Sequence, residues 1–196
     1  MIQWAGQLGG TMRIFYDTEF REDGGSLEIL SIGMVRDDGQ EYYAVNADAD
    51  WIRACEHPWL REHVLPHLPL ADTKVVGNGI VCQIDHSDVS VKPKRRIARE
   101  VRDFVVSTPD PSLWAWYASF DHVALTWLYG PMSDLPEGIP MRTNDIKQEA
   151  ERLGDPPLPE QGSDLHHALA DARHNRVIFD LLHQLDDQRP NLGDSR

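Results

Sequence analysis

Three short stretches of this chain hold residues whose types and spacing could do chemistry. Asp17-Thr18-Glu19 closes a run of β-branched and aromatic residues. Asp121 follows a second apolar run, Leu113–Tyr117. His166 and Asp171 stand five apart at the start of the longest helical pattern. Asp17 and Glu19, two apart on an extended segment, point to the same face. Four carboxylates (Asp17, Glu19, Asp121, Asp171) gathered in one cleft would repel each other unless divalent cations lay between them. Oxygen ligands suit Mg2+ or Mn2+ rather than zinc. Two such ions about 3.5–4 Å apart can activate a water and stabilise the leaving oxygen of a phosphodiester.

Each stretch alone is weak evidence. From the Asp and Glu counts, chance predicts about one D-x-E in a chain of this composition, and one occurs. A His followed five residues later by Asp is also expected about once. It occurs at His67/Asp72 and at His166/Asp171. The first lies in a proline-rich stretch ahead of Asp121 and is set aside. Order and context carry the argument.

The elements that must position these residues are legible in outline. The chain has 196 residues, 41% hydrophobic and 26% charged, which fits one globular domain. Met12–Asp17, Ile29–Val35 and Glu41–Val45 are expected strands, with a hairpin turn at Asp37-Asp38-Gly39. Leu113–Tyr117 suits a central strand. Helices are expected within Trp51–Leu70, ended by Pro66 and Pro69, and over Arg95–Val106, Phe120–Tyr129, Asn144–Leu153 and about His166–Leu185. A small hairpin is expected around Asn78-Gly79. Residues 1–11 read as a loose extension, 12–185 as the folded domain and 186–196 as a frayed polar tail.

A net charge of −13 argues against gripping long nucleic acid by charge alone, because that requires clustered Lys and Arg. Arg95, Arg99 and Arg102, with Lys92, Lys94 and Arg96, form the one basic cluster. No apolar run is long enough to span a membrane. Cys55 and Cys82 are too few for a disulfide framework, so a reduced cytoplasmic protein is expected.

Phe15-Tyr-Asp-Thr-Glu-Phe20, Phe120-Asp121 and His166-x-x-x-x-Asp171 resemble, in order, the three motifs of the DEDDh exonucleases. The likeness is tighter to the small bacterial polyadenylate-specific 3′-exoribonucleases AS, through Glu41-Tyr-Tyr-Ala-Val45, Trp114-Ala-Trp116 and Asp121-His-Val-Ala-Leu125. It covers roughly Met12 to Leu182 and is weakest over Ala71–Lys94. Two positions depart from the wider superfamily: Trp116 where many members have Asn, and Ser31 where many have Glu.

The resemblance implies an α/β, ribonuclease H-like fold, a mixed five-stranded sheet flanked by helices. It also implies a 3′–5′ exoribonuclease acting on single-stranded RNA 3′ ends and releasing nucleoside monophosphates with two Mg2+ or Mn2+ ions. Asp17, Glu19 and Asp171 would share one ion and Asp121 would help hold the second. Thr18, Glu19, Phe20 and His166 would meet the terminal nucleotide, and adenylate-rich ends and a homodimer follow from the same likeness. His166 would be the general base, its ordinary pKa of about 6.5 suiting that role. Positions five apart on a regular helix diverge by roughly 140°, so His166 is expected on a lead-in before the helix, with His167 as its rival. A DNA exonuclease and a non-hydrolysing RNA-binding module are the competing readings.

Overall fold

The computed structural model describes residues 10–76, 79–162 and 164–189. The expected loose extension and polar tail lie largely outside those residues, although Asp186 and Asp187 still belong to the last helix. The chain opens with three strands: β1 (Met12–Glu22), β2 (Leu27–Arg36) and β3 (Glu41–Asn46). The expected turn joins β2 to β3, with Gly39 at φ +84°, a conformation glycine adopts without a Cβ penalty. Next come α1 (Trp51–Glu56), α2 (Pro58–His63) and a hairpin of β4 (Leu70–Val76) and β5 (Gly79–Ile84). Then follow β6 (Val91–Lys92), α3 (Lys94–Val106), β7 (Pro111–Ala115) and α4 (Ser119–Thr126). The chain closes with β8 (Asn144–Asp145), α5 (Ile146–Arg152) and α6 (Ala168–Asp187).

The main sheet runs β6-β3-β2-β1-β7-β8. Pairings β1–β2 and β2–β3 are antiparallel, whereas β1–β7, β3–β6 and β7–β8 are parallel. The sheet is therefore mixed, as expected, with six strands rather than five. β6 and β8 are two residues each, too short to show any periodicity. Asn144 and Asp145, expected as helix, are strand residues instead. Asp145 then caps α5 by accepting the Lys147 N–H at 2.9 Å, as a short acidic side chain does at a helix start. The expected helical region after Trp51 breaks early, at His57-Pro58, because Pro58 starts a new helix where its missing N–H costs nothing.

Both sheet faces are covered. Ile14 and Tyr16 of β1 pack with Ile97, Val101, Leu113 and Leu125 on the α3/α4 side. Phe15, from the opposite face, packs with Ile146, Ile178 and Phe179 of α5 and α6. This alternation aims Asp17 and Glu19 at α6. A third cluster joins Leu30 and Val45 to α1, α2 and the β4–β5 hairpin. In it Cys55 and Cys82 are disulfide-bonded, with Cα atoms 5.8 Å apart, which corrects the expectation of reduced cysteines. Counting cysteines could not show that the hairpin folds back onto α1.

Gly33, the β2 partner of Asp17, lies directly under the start of α6. A methyl group there would overlap the backbone of Ala168 and Leu169, the first turn of α6. Gly33→Ala should therefore cost about 3 kcal/mol by overpacking and displace the start of α6, read by chemical denaturation. Wild-type stability in that variant would mean that the helix start yields freely. Replacing both Cys55 and Cys82 with Ser should cost about 3–4 kcal/mol, the chain-entropy value for a bridge closing a separation of 27 residues. An unchanged melting temperature would count against the bridge.

Candidate active site

The N-terminal half of α6 is held down from several sides. Asn175 donates from Nδ2 to the Tyr16 carbonyl at 3.1 Å. Arg173 makes two bonds to Glu41, at 2.8 and 2.6 Å. The Tyr43 ring stacks on His167 with centroids 4.6 Å apart. His167 is the N-cap of α6, its Nδ1 accepting the Ala170 N–H. The motif Glu41-Tyr-Tyr-Ala-Val45 thus contributes two clamps on this helix.

His166 lies two residues ahead of α6, at φ +66°, in the left-handed region. That turn lets its N–H donate to Asp171 Oδ2 at 3.0 Å, while Gln161 Nε2 donates to the other oxygen, Oδ1. The imidazole is flanked by Trp59 and His63 of α2, with centroids 5.0 and 5.7 Å away. Asp121 sits in the first turn of α4, and its Oδ1 accepts both the N–H (2.9 Å) and the hydroxyl (2.6 Å) of Thr18.

These residues line one cleft of about 550 Å³, with Asp17, Thr18, Glu19, Phe20, Asp121, His166 and Asp171 all on its wall. Glu19, His166 and Asp171 each bring one potential ligand atom within 4.8 Å of the others. Among the described residues, the carboxylate oxygens of Glu19 and Asp171 in this group suit a hard divalent cation. The basic cluster of β6 and α3 does not line the cleft; Lys92 and Arg96 are ion-paired to Glu100.

Titration follows from this crowding. Burial pushes Asp17 well above the usual carboxylate range, and Asp121, Glu19 and Asp171 push it further. Glu19 is raised to about 8 by burial and then by Asp171 and Asp121. Asp121 reaches about 6, burial outweighing the two bonds from Thr18. Asp171 is raised by burial, against the pull of Gln161 and the His166 N–H. His166 is lowered by burial, with Asp171 acting in the opposite sense, and is therefore neutral at pH 7.

Sequence reasoning missed Gln161, the Thr18 hydroxyl, and Trp59 and His63. Gln161 lies in an aperiodic proline-rich link, so it offered no signal. Trp59 and His63 are four apart in a helix and therefore share a face, but nothing in that spacing says what they face.

The raised carboxylates favour the protonated folded state. The unfolded chain loses these protons near pH 4–4.5, whereas the folded chain holds one until about pH 8. This contribution is present in full below about pH 4 and is lost as pH rises through 8. His166, shifted down, has no influence above the ordinary imidazole value of about 6.5. The chelator-treated protein should therefore lose melting temperature between pH 6.5 and 8, and Mn2+ should restore it most strongly at pH 8. Equal Mn2+ effects at both pH values would contradict the shifts. Asp17→Asn should raise the chelated protein's melting temperature at pH 8, because an amide there needs neither a buried charge nor a bound proton.

No model of a known protein family matches the chain. Over 178 residues it is 39% identical to 3′–5′ exoribonucleases of two Mycobacterium tuberculosis strains, an alignment covering 90% of this chain and 96% of theirs. In fold it is similar to Escherichia coli exonuclease I solved with a dT13 oligonucleotide, with a TM-score of 0.62 at 12% identity over 91% of this chain. It is also similar to exonuclease I from Methylocaldum szegediense, with a TM-score of 0.59 at 14% identity over 93% of this chain. The chain spans about 42% of the length of each of these two. With near-complete coverage of both partners at 39% identity, the chain belongs to the 3′–5′ exoribonuclease family, and its α/β fold is of the ribonuclease H-like kind.

Proposed function

We propose that this chain hydrolyses single-stranded RNA from its 3′ end, adenylate-rich ends included, releasing one 5′-mononucleotide per turn. Asp17, Glu19 and Asp171 would hold one Mg2+ or Mn2+ ion, and Asp121 would help hold a second. The observation that carries this reading is the meeting of four carboxylates and one imidazole, from three remote segments, on the wall of one cleft. When bound, the cations lower the pKa of a water and neutralise charge on the leaving oxygen.

The chain's own groups do the rest. His166, neutral at pH 7, takes a proton from the attacking water at an imidazole nitrogen. The bond from phosphorus to the 3′ oxygen of the preceding nucleotide breaks as the new oxygen–phosphorus bond forms. A shortened RNA with a free 3′ hydroxyl remains, and a nucleoside 5′-monophosphate leaves. Gln161 and the His166 N–H aim the Asp171 carboxylate. Thr18 does the same for Asp121, and with its N–H engaged there it offers the terminal nucleotide its backbone carbonyl. Phe20 lines the cleft, where a base can stack on its ring.

No helix among the described residues is long and apolar enough to cross a membrane. A cytoplasmic site accords with an RNA substrate, and there the Cys55–Cys82 bridge would meet a reducing pool. A homodimer remains part of the reading on the strength of family likeness. The DNA alternative draws support from exonuclease I, which was solved with a dT13 oligonucleotide.

His166→Ala should slow mononucleotide release by roughly 10²–10⁴-fold, and Asp171→Asn should abolish it with the fold intact. His167→Ala should mainly cost stability, about 1 kcal/mol for a lost helix cap. Equal-length RNA and DNA oligomers, compared with and without Mn2+, test the reading. Faster DNA loss would favour the DNA exonuclease, and no mononucleotide in either arm would leave a binding module.

A further inference from the structure

The outer face of α4 is unexpectedly apolar. Phe120 is 60% exposed, Val123 37% and Trp127 42%. They are spaced at i, i+3 and i+7, so they fall along one side of the helix and its C-cap. The opposite side of α4 is buried through Asp121, Ala124 and Leu125, so these three side chains have no role in the core. Tyr117, 61% exposed and at φ +52°, leads into the same face. Contiguous exposed apolar surface of this kind marks a binding site more often than chance.

The face is continuous with the cleft. Phe120 and Tyr117 both line it, and Phe120 lies nearly parallel to Phe20, at 19° with ring centroids 6.1 Å apart. From Phe120 to Trp127 the helix rises about 10 Å, the length of roughly three nucleotides at 3.4 Å each. Charge narrows the choice of mechanism. The chain carries −13, and its basic cluster lies outside the cleft. Sequence-tolerant affinity for a single strand must then come largely from bases on aromatic faces.

We propose that the α4 face, from Phe120 to Trp127, is a stacking track for the bases immediately upstream of the scissile phosphate in single-stranded RNA. The second nucleotide from the 3′ end meets Phe120, and the third and fourth run toward Trp127. The track rests on the exoribonuclease reading for its direction, with the terminal nucleotide in the cleft. It extends that reading to how the enzyme holds a strand its charge would otherwise repel.

The test is equilibrium binding, which needs no turnover. The probe is a 5′-fluorescein RNA octamer whose last linkage is a methylphosphonate, followed by anisotropy in Mn2+. Trp127→Ala should weaken binding about tenfold, within the range for losing one stacked base. Removing the base at the fourth nucleotide should weaken the wild type by a similar factor and leave Trp127→Ala unchanged. Trp127→Leu, which keeps apolar bulk without a ring, should behave as Trp127→Ala and guards against misfolding of the smaller variant. Phe120→Ala should pair in the same way with the second nucleotide.

Variants that bind like the wild type would overturn the track, as would abasic penalties that persist in full. A dimeric wild type turned monomeric by Trp127→Ala with unchanged RNA affinity would assign the face to a second copy and also overturn it. A wild type that binds along the track yet releases no mononucleotide from an unmodified octamer would sink the exoribonuclease reading alone. A wild type that does not bind the octamer would sink both.

Discussion

Acidic groups crowded into a partly buried cleft are the constraint around which this molecule is built. Asp17, Glu19, Asp121 and Asp171 are drawn from a strand and two helices far apart in sequence, and each has its pKa raised. Left alone, such a group would hold protons or spread apart. The surrounding structure allows neither spreading nor reorientation. Asp121 is fixed by two bonds from Thr18, Asp171 by Gln161 and the His166 N–H, and α6 by its contacts with β1, β2 and β3. A preorganised cluster of this kind stores repulsion that a divalent cation would relieve, so metal binding and folding stability would be thermodynamically linked.

The same arrangement explains why His166 sits where it does. A helical His166 would point away from Asp171. Left-handed backbone at φ +66° turns the residue back over the helix start, at a cost of order 1 kcal/mol for a non-glycine residue. Strain of this size persists only where neighbours over-determine it. Here the N–H to Asp171 and the flanking rings of Trp59 and His63 do so. The cap at His167, stacked on Tyr43, fixes the boundary between this turn and the helix.

Much of this was legible in the sequence because it depends on period and order. Alternation in Phe15-Tyr-Asp-Thr-Glu puts two carboxylates on one face, and the five-residue offset of His166 and Asp171 forces a non-helical lead-in. The unreadable parts depend on what meets what in space. β6 and β8 are too short to carry a period, and each is defined only by the partner strand beside it. The Cys55–Cys82 bridge needs the hairpin to fold onto α1. Gln161 acquires a role only because a proline-rich link passes over Asp171. Exposed Phe120, Val123 and Trp127 look like core residues in a helical pattern, and only burial separates the two readings.

Proton release on metal binding probes the carboxylate cage most directly. Mn2+ would be titrated calorimetrically at pH 7 in buffers of differing ionisation enthalpy, which separates proton transfer from binding heat. With Asp17 and Glu19 both raised, the account predicts that binding expels at least one proton per chain. It also predicts that Glu19→Gln reduces that release. Binding without proton release, or no saturable binding of Mn2+, would contradict it.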